Sequence, residues 1–81
     1  MYPQILTNVQ VEHKRDFRTV PEIVKAIKAA EARLAGKGRV LVRPSGTEPK
    51  IRVMLEGEDL KLIQKLGDRI ARVIKDRMTE G

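Results

Sequence analysis

The 81-residue chain has no cysteine and no tryptophan, and only one phenylalanine, one tyrosine, one histidine and one serine. Each scarcity removes a class of chemistry. Without cysteine there is no disulfide framework and no thiolate metal site. This suits a reducing compartment, and we expect a cytoplasmic protein. His13 has no second imidazole and no acidic cluster of ligand spacing around it. It reads as a solvent-facing loop residue rather than a metal ligand or proton relay. No apolar run approaches the ~20 residues needed to span a bilayer, and the start of the chain carries no signal-peptide pattern. With so few aromatic side chains, the 22 Ile, Leu and Val residues must supply an aliphatic core.

What is abundant is positive charge. Lys and Arg number 17 against 11 Asp and Glu, for a net +6. Residues 36–57 hold five of the cations and two of the acids, half of the excess in about a quarter of the chain. A broad nucleic-acid patch would spread its charge further and interleave aromatic stacking platforms.

That cationic segment contains two β-rich runs, Arg39–Arg43 and Lys50–Glu56, around a short loop, Pro44–Pro49. Pro44, Ser45 and Gly46 are turn formers. Arg43 enters the loop, Lys50 and Arg52 leave it, and Ser45 and Thr47 place hydroxyls on either side of Gly46. Gly46 allows a positive φ and close backbone approach to a ligand. Successive N–H groups in such a turn form a nest for anions. A guanidinium grips two phosphate oxygens at once. Strand parity puts Arg43 and Arg52 on the same face, opposite the face of Val40, Val42, Ile51, Val53 and Leu55. Two readings fit this spacing: a pocket for a phosphate dianion, and a hairpin with solvated arginines.

The remaining elements surround this unit. Tyr2–Val11 alternates with a period of two and reads as a half-buried strand. A charged connection, Glu12–Arg18, follows, with Phe17 tucked beneath it. Thr19 to Glu22 has the spacing of a capping box, and Pro21 fits a first helical turn. Ile23, Ala26, Ile27, Ala30 and Leu34 then form one helical stripe, which Gly36 and Gly38 end. Asp59 is the expected cap of a second helix, with a stripe of Leu60, Ile63, Leu66, Ile70, Val73 and Ile74. Gly67 within it implies a close approach to the sheet or the other helix, and Thr79–Gly81 should fray. The order β-α-β-β-α predicts an α+β fold, a small sheet of three to four strands with both helices on one face. The other face would show Leu6, Asn8, Leu41, Arg43, Arg52 and Met54, a mixed surface that should meet another domain or partner. Nothing divides residues 1–81 into more than a single domain.

Arg43-Pro-Ser-Gly-Thr-Glu-Pro-Lys-Ile-Arg52 resembles the phosphate-binding loop in the last domain of the α-D-phosphohexomutases. Ile51-Arg-Val-Met54, Glu56-Gly57 and the opening Tyr2-Pro-Gln-Ile-Leu-Thr-Asn-Val9 extend the resemblance over nearly the whole chain. The resemblance implies a fold like that of the TATA-binding protein. It also implies that these residues are the fourth, C-terminal domain of an enzyme interconverting the 6- and 1-phosphates of a hexose, here glucosamine, through a bisphosphate. Arg43, Ser45, Gly46, Thr47 and, less centrally, Arg52 would hold the phosphate that is not transferred. The phosphoserine, the Mg²⁺ loop and the sugar-reading loop would lie in other domains, so this chain would carry no catalytic residue and no metal and would be inactive alone. Its partners would be the phosphosugar and those domains, with no nucleic acid and no membrane. Glu48, by its charge, should steady Arg43, Lys50 or Arg52 rather than touch phosphate. The competing reading is a small basic nucleic-acid-binding α+β module. A KH-type reader would need its glycine loop between helices, and an RRM would need aromatic residues on its strands.

Overall fold

The computed structural model describes residues 2–11, 17–44, 46 and 48–78. The alternating run at the start forms β1, Gln4–Gln10, and a 3₁₀ turn spans Phe17–Thr19. Helix α1, Pro21–Leu34, is followed by β2, Gly38–Pro44, and β3, Lys50–Gly57, with α2, Leu60–Met78, last. The β-α-β-β-α order is therefore the one expected. Among the described residues the sheet has three strands, in the order β1-β3-β2, all antiparallel. Pro44 belongs to β2, opposite Ile51, so the loop is one residue shorter than Pro44–Pro49.

Parity divides the sheet as the sequence requires. Val9, Val40, Ile51, Val53 and Leu55 are buried on one side, while Leu6, Asn8, Arg43 and Arg52 are exposed on the other. Helix α2 covers β1 and β3, α1 covers β2, and the helices pack on each other. Ile23, Ala30 and Leu34 of α1 and Ile63, Leu66, Ile70 and Ile74 of α2 fill the interface, with Phe17 and Val20 at its margin. Full burial of a side chain such as Leu55 contributes about 1.5–3 kcal/mol. Gly67 faces the sheet: a Cβ there would lie 2.6 Å from Ile5 Cδ1 and 3.3 Å from Leu55 Cδ1. The close approach is thus to β1 and β3, not to α1.

The caps are partly as expected. The Asp59 carboxylate accepts from the N–H groups of Lys61, at 3.0 Å, and Leu62, at 3.3 Å. At α1, however, the N-cap is Val20, not Thr19, and it makes no side-chain cap bond. Pro21 takes the first helical position, so the residue before it must be extended. Val20 is extended, at φ −103° and ψ 107°. Its N–H donates to the Phe17 carbonyl at 3.1 Å, and Thr19 completes the 3₁₀ turn instead. Helix α1 stops at Ala35, whose N–H makes the last helical bond, to the Glu31 carbonyl, and whose left-handed φ of 49° turns the chain away; Gly36 continues the turn at φ 82°. Leu60 is 50 % exposed and lies outside the core stripe, while Ile63 in the same turn is fully buried. The expected fraying of Thr79–Gly81 lies outside the described residues.

Candidate functional site

The β2–β3 hairpin brings Arg43, one residue from the end of β2, directly opposite Arg52 in β3. Both side chains are exposed on the helix-free face, at the mouth of the connecting loop. On its other side Arg52 faces Asn8 of β1. Asn8, Arg52 and Arg43 therefore form one row across all three strands. Parity alone places Asn8 on this face; its position beside Arg52 follows only from the register.

The next two rows differ in character. Leu6, Met54 and Leu41 make an apolar row, with Leu6 58 % exposed. Beyond it lie Gln4, Glu56 and Arg39, where Arg39 Nε donates to Glu56 Oε2 at 2.9 Å. The cation farthest from the loop is thus compensated by a carboxylate. Among the described residues the Arg43 and Arg52 side chains make no ion pair or hydrogen bond. Like charges directly opposite on one sheet face repel, so the row carries positive potential that no ion pair among the described residues relieves.

The acid nearest by sequence is committed elsewhere. Glu48 Oε2 lies 3.0 Å from Lys50 Nζ, and the Lys50 N–H donates to the Glu48 carbonyl at 2.7 Å. Of the three cations Glu48 was expected to steady, it holds Lys50. Arg43 and Arg52 take no part in that ion pair.

Gly46 is exposed, and a Cβ there would meet nothing within 4 Å. Ser45 and Thr47, the two hydroxyl residues of the expected pocket, lie outside the described residues, as does His13. The structure therefore joins Arg43 to Arg52 and adds Asn8.

Comparison with known proteins agrees along the length of the chain. The family model for the phosphoglucomutase/phosphomannomutase C-terminal domain matches residues 6–73. The phosphoglucosamine mutase of Caldicellulosiruptor saccharolyticus is 53% identical over a match covering 98% of this chain and 18% of that protein. That of Desulforamulus reducens is 51% identical, covering 90% of this chain and 16% of the relative. The chain thus spans less than a fifth of the length of these curated relatives. Among solved structures, Aspergillus fumigatus N-acetylphosphoglucosamine mutase in complex with glucose 1,6-bisphosphate aligns with a TM-score of 0.79 at 27% identity, covering 98% of this chain and 16% of that one. The same enzyme in complex with GlcNAc-6P and magnesium aligns at 0.75 and 28% identity, covering 96% and 16%.

Proposed function

We propose that this chain, which belongs to the family of phosphoglucomutase/phosphomannomutase C-terminal domains, is the phosphate-anchoring fourth domain of a phosphoglucosamine mutase. Residues 1–81 would form that one domain of a longer cytoplasmic enzyme. The whole enzyme would be an isomerase, interconverting glucosamine 6-phosphate and glucosamine 1-phosphate through a bisphosphate. One observation supports the reading: Arg43 and Arg52 stand opposite each other beside the loop, exposed and without a carboxylate partner among the described residues.

The chemistry suits an anchor. The phosphate of a substrate that reacts from either end must be gripped by one site, whatever carbon it is attached to. Planar guanidinium forks recognise the dianion's oxygens and ignore its ester. Ser45 and Thr47 would add hydroxyl donors, and the open space above Gly46 lets an anion approach the main chain. Holding the far end of the substrate fixes the reacting end, and such positioning lowers a barrier without any chemistry at the anchor. The sheet's apolar row, Leu6, Met54 and Leu41, would meet the other domains of the same chain.

No catalytic residue belongs to this domain, and the isolated 81 residues would be inactive. Magnesium would be supplied by another part of the full enzyme. The described residues offer it no donor set, with no three acids or imidazoles close enough to converge on an ion. No described helix is long and apolar enough to cross a membrane.

The test is an NMR titration of the chain with glucosamine 6-phosphate, and separately with inorganic phosphate. Amides of Ser45, Gly46 and Thr47 should shift, and Arg43→Ala should abolish the shifts while the remaining spectrum stays folded. In a full-length enzyme Arg43→Ala should raise KM and lower kcat/KM. Unaltered kinetics, or a random oligonucleotide shifting signals across both helices at moderate salt, would overturn the assignment.

A further inference from the structure

The hydrogen-bond phase of the β1–β3 ladder determines what β1 offers to its outer side. Gly57 donates to the Pro3 carbonyl at 3.1 Å, and Val11 donates to the Pro49 carbonyl at 2.8 Å. In an antiparallel ladder bonded pairs alternate, so residues 3, 5, 7, 9 and 11 spend their main-chain groups on β3. Leu6, Asn8 and Gln10 then direct theirs away from the sheet. In the order β1-β3-β2, β1 is an edge, and no described strand pairs with that side.

Edge strands of soluble domains are usually guarded by charge, proline or a bulge. The other edge, β2, carries Arg39, Arg43 and Pro44. By contrast, β1 reads Gln4-Ile-Leu-Thr-Asn-Val-Gln10, seven residues without a charge or a proline, in unbroken register with β3. A groove of about 630 Å³ runs along it, between Asn8 and Gln10 on one wall and Ala71, Arg72 and Lys75 of α2 on the other. Ala71 is the small residue that leaves room, and among the described residues Arg72 has no ion-pair partner.

We propose that this groove takes an extended segment of a partner polypeptide as a fourth strand, with carboxylates at alternate positions. Main-chain pairing to Leu6, Asn8 and Gln10 would supply the affinity, as in other cases of strand addition. The alternation supplies the specificity. Every second side chain of the added strand would descend toward α2, where the Arg72 charge selects Glu or Asp. The intervening ones would lie on the open face, beside the exposed Leu6. A second copy of β1 is the less suitable occupant, because it brings no carboxylate to Arg72. This site lies on the opposite edge of the sheet from Arg43 and is independent of the phosphate reading.

The test uses the full 81-residue chain and a capped peptide of about eight residues, a usual strand length, alternating valine and glutamate. A lysine-for-glutamate peptide and an alternately N-methylated peptide serve as controls. Hydrogen exchange of the Leu6, Asn8 and Gln10 amides should slow at least tenfold with the glutamate peptide. The lysine peptide should bind at least tenfold more weakly, and Arg72→Glu should reverse that preference. The N-methylated peptide, which keeps the charge but loses the donors in one register, should bind far more weakly. The proposal is overturned by unchanged exchange at millimolar peptide, by equal binding of the methylated peptide, or by a charge preference indifferent to Arg72→Glu. It is likewise overturned if the three amides become protected with rising chain concentration alone, since the occupant would then be a second copy.

Discussion

Arg52→Gln should make the domain more stable and at the same time less able to bind phosphate. Arg43 and Arg52 are cross-strand partners on one face, and cross-strand Cβ atoms lie about 5 Å apart. The long side chains splay, so a charge separation of about 7 Å is reasonable, and Coulomb's law in water then gives about 0.6 kcal/mol of repulsion. At 0.15 M salt the Debye length is about 8 Å, which reduces this to about 0.3 kcal/mol. In a non-phosphate buffer of low ionic strength the variant should therefore melt about 2–5 °C higher, and the gain should vanish near 1 M NaCl. Phosphate should invert the order. An anion bound only to the folded state stabilises it by RT ln(1 + [L]/Kd), and that linkage should shrink in Arg52→Gln. Thermal unfolding followed by circular dichroism, with and without phosphate at matched ionic strength, measures both effects. Arg52→Lys keeps the charge and should not raise the melting temperature. The electrostatic reasoning fails if Arg52→Gln is less stable in low-salt buffer. The anion site fails if phosphate stabilises both proteins equally.

Other outcomes follow from the helix ends and the close contacts. Asp59→Ala removes the acceptor for two amides at the start of α2 and should cost about 1 kcal/mol in urea denaturation. Ala35→Gly relieves a left-handed residue at φ 49° and should add about 0.5–1 kcal/mol. Gly67→Leu should destabilise by about 2–3 kcal/mol, since even its Cβ would meet Ile5 and Leu55. Gly67→Ala should stay within about 1 kcal/mol of the parent, because the helix-propensity gain offsets displacement of the flexible Ile5 terminus.

The features readable in the sequence are those governed by short periods and local chemistry. Alternation in β2 and β3 places Arg43 and Arg52 on one face, and Asp59 marks the start of α2. Sequence and structure part where two local signals compete or where tertiary geometry decides. Thr19 and Glu22 have capping-box spacing, but Pro21 restricts its predecessor more strongly and the cap falls on Val20. Leu60 satisfies the helical period, yet periodicity does not say where the packing surface ends. Asn8 joins the arginine row only through pairing between residues 44 apart, which no local pattern encodes.

The sheet order has a consequence for synthesis of the chain. β2 and β3 pair across a short connection, but β1, made first, has only β3 to join, and β3 begins about 40 residues later. At translation rates of about 5–20 residues per second, β1 would wait about 2–8 s for its partner. The nascent strand is uncharged and β-prone throughout that interval, the composition that favours pairing with foreign strands. Ribosome-bound chains arrested before β3 should expose this stretch to chaperones, and chains arrested after α2 has emerged should not.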